Sequence, residues 1–450
     1  MMLTVLLMLV ILATPVVLSR RVGRANRLSP VPAIDIGVAF VWIVFLYAFI
    51  PMLGISLARF DIGSLSDQRL GNEVPELESV NIVGASYAAF MLGFACLYLR
   101  NRRPLPTATT GWQLPTPTDL RRIVSIALAI KLGVLLVRLA TDNPASADYL
   151  GSYTALREAP LLVRQLAGIL SATDFAATLL VIVASVAHAP RLRTIVAAAI
   201  VVNLAIAMMG GGSRTAAFLY AFAFVVARSI YDRKMRPSLV AAYAGAGLLA
   251  FLLTGLVRDG FGAQGSALSL QLLQGGEFVA VFYNALDLLD KLGESELLTV
   301  RVGLYLVDLL RLIPQQLIGD LKVDPATLYV TTFYPEFSDA GGGLAFGAIA
   351  EATVGFGWPE ALVRGALLGW LYASIANHCL SGKPTVIKVF VYVWFVVWSY
   401  QAIRDTTFST VPRFIFQVVP LLVALRLAGT LSRVSRTRNF LRPRTGPRRS

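Results

Sequence analysis

Apolar residues recur from one end of the chain to the other in runs of roughly 17–25, the length that spans a bilayer core as helix, with the polar residues gathered between the runs. Windows bounded by charge or proline predict about eleven spans. They lie near residues 2–18, 34–58, 79–99, 123–140, 168–187, 194–210, 216–231, 238–257, 359–377, 386–403 and 411–429. Short segments alternating apolar and polar, the mark of an outer-membrane barrel, are missing. The first run reads as a retained span. It lacks a basic leading region, and Arg20, Arg21, Arg24 and Arg27 stand where a signal peptide has its small-residue cleavage site. The expected fold class is an all-α polytopic membrane protein.

Composition narrows this further. Of 450 residues, 56% are hydrophobic and 15% charged, against about 25% charged in an ordinary soluble domain. A soluble multi-domain enzyme is excluded. Cys96 and Cys379 are too few for a disulfide framework or a metal-ligand cluster.

The net charge of +14 reads as topology. RRVGRANR, RNRRP, APRLR, DRKMR, GKPTVIK and the tail RVSRTRNFLRPRTGPRRS follow the odd-numbered spans, and the acids segregate to the other side. The positive-inside rule then puts the N-terminus outside and the C-terminus in the cytoplasm. No folded basic domain is present to bind nucleic acid. The chain divides into a membrane bundle over 1–257, a long external loop over 258–358, a second bundle over 359–430 and a basic cytoplasmic tail over 431–450.

A hundred-residue external loop is too long for an idle connection. Within it, Glu277, Asn284, Asp287 and Lys291 share one face opposite Phe278, Val281, Phe282 and Ala285, which predicts an interfacial amphipathic helix. From Thr299 to Gln315, Arg301, Tyr305, Asp308, Arg311 and Gln315 recur at spacings of four and three, a polar stripe suited to a wet cavity.

The candidate chemistry is on the outer side. His188 and His378 fall at cytoplasmic ends of spans, so no histidine is available there as base or metal ligand. Walker A, HExxH and GxSxG motifs are missing too, and no metal or cofactor is expected. GGGSRTA at 210–216 forms a tight outer turn in which the glycines let backbone approach a ligand, Ser213 can cap the next helix and Arg214 lies at its positive end. It reads either as an anion site or as a turn with Arg214 snorkelling to headgroups. Arg258 with Asp259, and Arg404 with Asp405 and Arg413, read individually as interfacial salt bridges. Lys131 and Arg138, one face of the fourth span, are expected either to pair with Asp174 or to line a cavity. Arg364 has Glu360 four residues earlier as its sequence-near partner. The densest stretch is 311–360, with Lys322, Glu336, Asp339, a triple glycine and Glu351 in a short apolar helix before GFGWPE. Glu351 reads either as a general base in apolar surroundings or as the partner of an arginine.

The outer turn GGGSRTA, the long external loop, the run IPQQLIGDLK … GGGLAFGAIAEATVGFGWP … LLG and the Arg404–Asp405 pair resemble the Wzy-type O-antigen and oligosaccharide repeat-unit polymerases. Where that family commonly has an aromatic two residues after the loop glutamate, this chain has Thr353. The resemblance implies a metal-independent glycosyltransferase of the bacterial inner membrane, GT-C-like in broad architecture. Its donor and acceptor would be oligosaccharides on polyprenyl diphosphate, and its partners membrane lipids, a flippase and a chain-length regulator. On this reading Arg214, Arg258, Arg404, Arg311 and Ser213 hold the diphosphate, with Lys322, Arg301, Arg138, Lys131 and Asp405 as secondary candidates. Glu351, then Asp339, then Glu336 are the candidate bases, because Asp287, Asp290, Glu294 and Glu296 fall in a stretch that reads as solvated. Other readings stay open: an O-antigen ligase, which in its family uses a loop histidine missing here; another GT-C sugar transferase, with Asp61 and Asp67 as first-loop acids; and a transporter of an anionic lipid or sugar.

Overall fold

The computed structural model describes residues 1–26, 34–59, 74–103, 114–141, 161–188, 190–208, 214–231, 277–292, 310, 313, 325–336, 347–381, 384–407 and 409–429. Their regular elements are all helices. The first seven are α1 (Met2–Asn26), α2 (Ile36–Arg59), α3 (Leu77–Asn101), α4 (Pro117–Thr141), α5 (Leu161–His188), α6 (Pro190–Met208) and α7 (Arg214–Tyr231). The second half contributes α8 (Glu277–Leu292), α9 (Pro325–Phe333), α10 (Ala348–Val354), α11 (Trp358–Leu380), α12 (Val386–Trp398), α13 (Gln401–Arg404) and α14 (Thr410–Leu427). Helices cover every predicted window except 238–257, which lies outside the described residues.

Among the described residues, six stretches are long and apolar enough to cross a membrane: in α1, α2, α3 and α5, in α12 continued through α13, and in α14. The chain is an all-α membrane protein.

The tightest packing is between α3 and α11, far apart in sequence. A Cβ added at Gly365 would meet Phe90 O at 2.0 Å, at Gly369 Phe94 O at 2.3 Å, and at Gly93 Leu362 O at 2.2 Å. Only glycine allows the two backbones this close. Lipid offers no hydrophobic drive between helices, so van der Waals contact over small residues supplies the attraction. Around this pair, α1 and α2 pack on α3, while α5 gathers α4, α7, α12 and α14.

One end of the α3–α11 pair is closed by a buried polar network. Asp35 Oδ1 accepts from Tyr98 Oη at 2.5 Å and from the Gly37 amide at 3.0 Å, and Arg102 Nε reaches Asp35 Oδ2 at 3.4 Å. Arg102 Nη1 also donates to Asn377 Oδ1 at 3.1 Å. Burial works against the Arg102 charge, but Asp35, with Tyr98 and Tyr392, outweighs it and raises the guanidinium pKa above its ordinary value. This network ties α2, α3 and α11 together at the end opposite the candidate site.

The expected helix over Glu277–Lys291 exists as α8, but the residues expected on its polar face do not all meet water. Asn284 is fully buried and Asp287 is 5% exposed, because α8 packs against α2, α3 and α10. Asp287 is satisfied internally. Asp287 Oδ2 accepts hydrogen bonds from the Tyr329 and Tyr334 hydroxyls, the latter at 2.7 Å. The solvated environment expected for Asp287 is therefore also corrected. A period of 3.6 shows which residues share a face, but not whether that face meets water or another polar surface. The second loop helix, Thr299–Gln315, falls outside the described residues except at 310 and 313.

Candidate functional site

The candidate site is built where the short helix α10 meets the beginning of α11 and the turn between α13 and α14. Gly347 precedes α10 with φ +81°, a conformation L side chains rarely adopt, and a Cβ there would lie 2.4 Å from Ile403 O. Its amide donates to the Arg404 carbonyl at 3.1 Å. All seven residues of α10 are buried, Glu351 included. The helix ends at Gly355, Gly357 takes φ +75°, and Pro359 lies in the first turn of α11 with its fixed backbone angle. The GFGWPE break thus reverses the chain within a few residues and sets Glu351 against Arg364.

Arg364 is the hub. Its Nη1 pairs with Glu351 Oε2 and donates to Thr407 Oγ1 at 2.8 Å, and its Nε donates to Glu360 Oε1 at 2.7 Å. Glu360 Oε2 also accepts from the Phe356 amide at 2.9 Å, fixing the break itself. Glu351 is 1% and Arg364 8% exposed. A rigid guanidinium fork is suited to holding two carboxylates at once. Beside this buried triad, Phe356 is 80% and Trp358 56% exposed. Aromatic rings of this kind are enriched at membrane–water interfaces.

The triad itself is not an anion cradle, since two carboxylates on one guanidinium leave a net charge of −1 when all three are ionised. Nearby cations come from the turn that follows. Arg404 is half-buried at the end of α13, and Arg413 pairs with Asp405 at 3.1 Å while lying 5.0 Å over the Trp398 ring. The Asp405–Arg413 contact is the salt bridge expected of this turn. Two further polar groups there, the Ser409 and Thr410 hydroxyls, are buried and have no hydrogen-bond partner among the described residues.

The other predicted residues are placed as follows. Lys131 meets Asp174 at 3.3 Å, so this pairing is between α4 and α5. Arg138 and Arg214 are described only as helical backbone, in α4 and at the start of α7. Glu336 is exposed just beyond Tyr334. Arg258, Arg301, Arg311, Lys322, Asp339 and Ser213 lie outside the described residues. Among the described residues no group of three or more His, Cys, Asp and Glu is placed to hold a metal ion.

The four-residue spacing predicts the Arg364–Glu360 pair and leaves the partner of Glu351 open. It gives no signal for Thr407, because the Arg364–Thr407 contact spans 43 residues. It also misses the pairing of Asp287 with Tyr329 and Tyr334, 42 and 47 residues away.

No family model, curated protein or solved structure matches the chain.

Proposed function

We propose that this membrane protein is a glycosyltransferase of the polymerase type, joining oligosaccharide repeat units carried on polyprenyl diphosphate at the outer face of the bacterial inner membrane. The proposal includes about eleven spans, GT-C-like architecture, an external N-terminus and a cytoplasmic C-terminus. The observation that carries it is the buried Glu351–Arg364–Glu360 triad. It links the long-loop segment through α10 to the turn bearing Arg404, beside the exposed rings of Phe356 and Trp358. Charge in a membrane protein is costly, and a buried charged cluster shared by distant segments is a functional-site hypothesis by default.

The chemistry suits such a site. The donor sugar already carries a diphosphate leaving group, so the protein has to hold that anion with fixed cations, align the acceptor hydroxyl and accept its proton. Arg404, with Arg214, Arg258 and Arg311, would neutralise the diphosphate. The Arg364 ion pair favours Glu351 as a positioning group over Glu351 as the base, because the guanidinium occupies its carboxylate.

A deletion strain tests the function directly. Surface polysaccharide should collapse to single repeat units, with lipid-linked repeat units accumulating. Intact polymer left on its lipid carrier would instead mean ligation, and an unchanged glycan profile would reject both.

A further inference from the structure

We infer that Asp287, with Tyr334 and Phe333, forms the acceptor-sugar subsite of this protein, and that Asp287 Oδ1 is the atom that takes the acceptor hydroxyl's proton. The inference rests on the glycosyl-transfer reading and names the residue that performs its proton transfer.

The two oxygens of the Asp287 carboxylate are not equivalent. Asp287 Oδ2 is fixed by the hydroxyls of Tyr329 and Tyr334, while Oδ1 accepts no hydrogen bond among the described residues. The tyrosines are held in turn: Tyr329 is 1% exposed, and its ring lies 5.9 Å from Phe333 and 5.8 Å from Tyr334. One oxygen is therefore clamped by neutral donors, and the other is aimed with little rotational freedom. That arrangement is the one asked of a base that must meet a hydroxyl in a fixed direction. Glu351 differs in kind, since an arginine occupies its carboxylate.

Lys291, one turn along α8 from Asp287, does not pair with it. Its ammonium lies over the rings of Tyr334 at 4.7 Å and Phe333 at 5.4 Å. The π-faces of these two half-buried rings are thus turned toward positive charge. The C–H face of a pyranose carries the same partial charge and is flat and apolar, so it can lie on these rings once the flexible lysine tip moves aside. A carboxylate beside aromatic faces offers a sugar both an apolar platform and an acceptor for one hydroxyl. The subsite also adjoins α10: Val354 packs with Leu288, Tyr329 and Val330. It is therefore coupled to the helix that carries Glu351.

The acceptor oxygen forms a bond to the donor's anomeric carbon as its proton passes to Asp287 Oδ1. The bond from that carbon to the diphosphate oxygen breaks, and its electron pair leaves with the diphosphate.

The experiment uses the full chain in nanodiscs and, as substrate, the lipid-linked repeat units that accumulate in the deletion strain. Asp287→Asn keeps the shape and the tyrosine contacts but not the basicity. Turnover should fall about 100-fold or more, with thermal unfolding unchanged, and formate should restore part of the activity of Asp287→Ala. Wild-type turnover by Asp287→Asn would overturn the inference. If both Asp287 variants fail to fold, Tyr334→Phe decides: it keeps the Tyr329 contact and should lower kcat several-fold at constant KM, whereas an unaltered kcat would overturn the subsite. The deletion strain separates this from the broader reading. Unchanged polysaccharide on deletion sinks the polymerase proposal, while polymer lost on deletion but restored by Asp287→Asn sinks only the subsite.

Discussion

The amide of Gly347 donates to the carbonyl of Arg404 at 3.1 Å, fastening the helix that carries Glu351 to the turn that carries Thr407. The contact depends on glycine twice, through its φ of +81° and through the 2.4 Å that would separate a Cβ from Ile403 O. Gly347→Ala should therefore cost at least about 2 kcal/mol, from left-handed strain and overpacking together. Thermal unfolding in nanodiscs should show the loss, and wild-type stability would mean this junction does not exist as described.

Breaking the Glu351–Arg364 pair from one side should be worse than removing it altogether. Arg364→Met strands Glu351, at 1% exposure, without its guanidinium. Loss of one partner of a buried pair costs about 3–5 kcal/mol. Adding Glu351→Gln to Arg364→Met should recover part of that. A double variant no more stable than Arg364→Met alone would count against direct coupling.

Lys131 of α4 and Asp174 of α5 pair at 3.3 Å. Lys131→Met should lower the steady-state level of the protein by leaving the acid without its cation, and Asp174→Asn in the same chain should restore it. Immunoblots of the two strains check this. Equal levels for Lys131→Met and wild type would make the pair incidental.

The charge asymmetry predicts sidedness. A reporter active only outside the cytoplasm should work when fused near residues 65, 150, 290 and 407 and be silent near 25, 110, 235 and 440. Activity at 440 would reverse or re-pair the last spans and put Arg404 on the other face, removing it from the diphosphate.

The sequence by itself determined that this chain is a helical membrane protein. Run length is a one-dimensional property: a backbone in lipid has to satisfy its own hydrogen bonds, so a run long enough to cross becomes helix whatever its neighbours are. The same holds for α8, whose period was legible over Glu277–Lys291, and for the Arg364–Glu360 pair, which one helical turn brings together. Tertiary structure alone decided what those helices face. Asn284 and Asp287 repeat like a solvent face, yet Tyr329 and Tyr334 cover Asp287, and no periodicity within α8 could reveal hydroxyls 42 and 47 residues away. Glu351 likewise carries two readings until the Gly357 turn sets it against Arg364, which also holds Thr407. The glycines at 93, 365 and 369 looked like ordinary span residues, and only the approach of α3 to α11 shows that a side chain has no room there. Local periodicity fixes which side chains share a helix face; the partner that makes a face buried, paired or reactive comes from a distant segment and is chosen by packing.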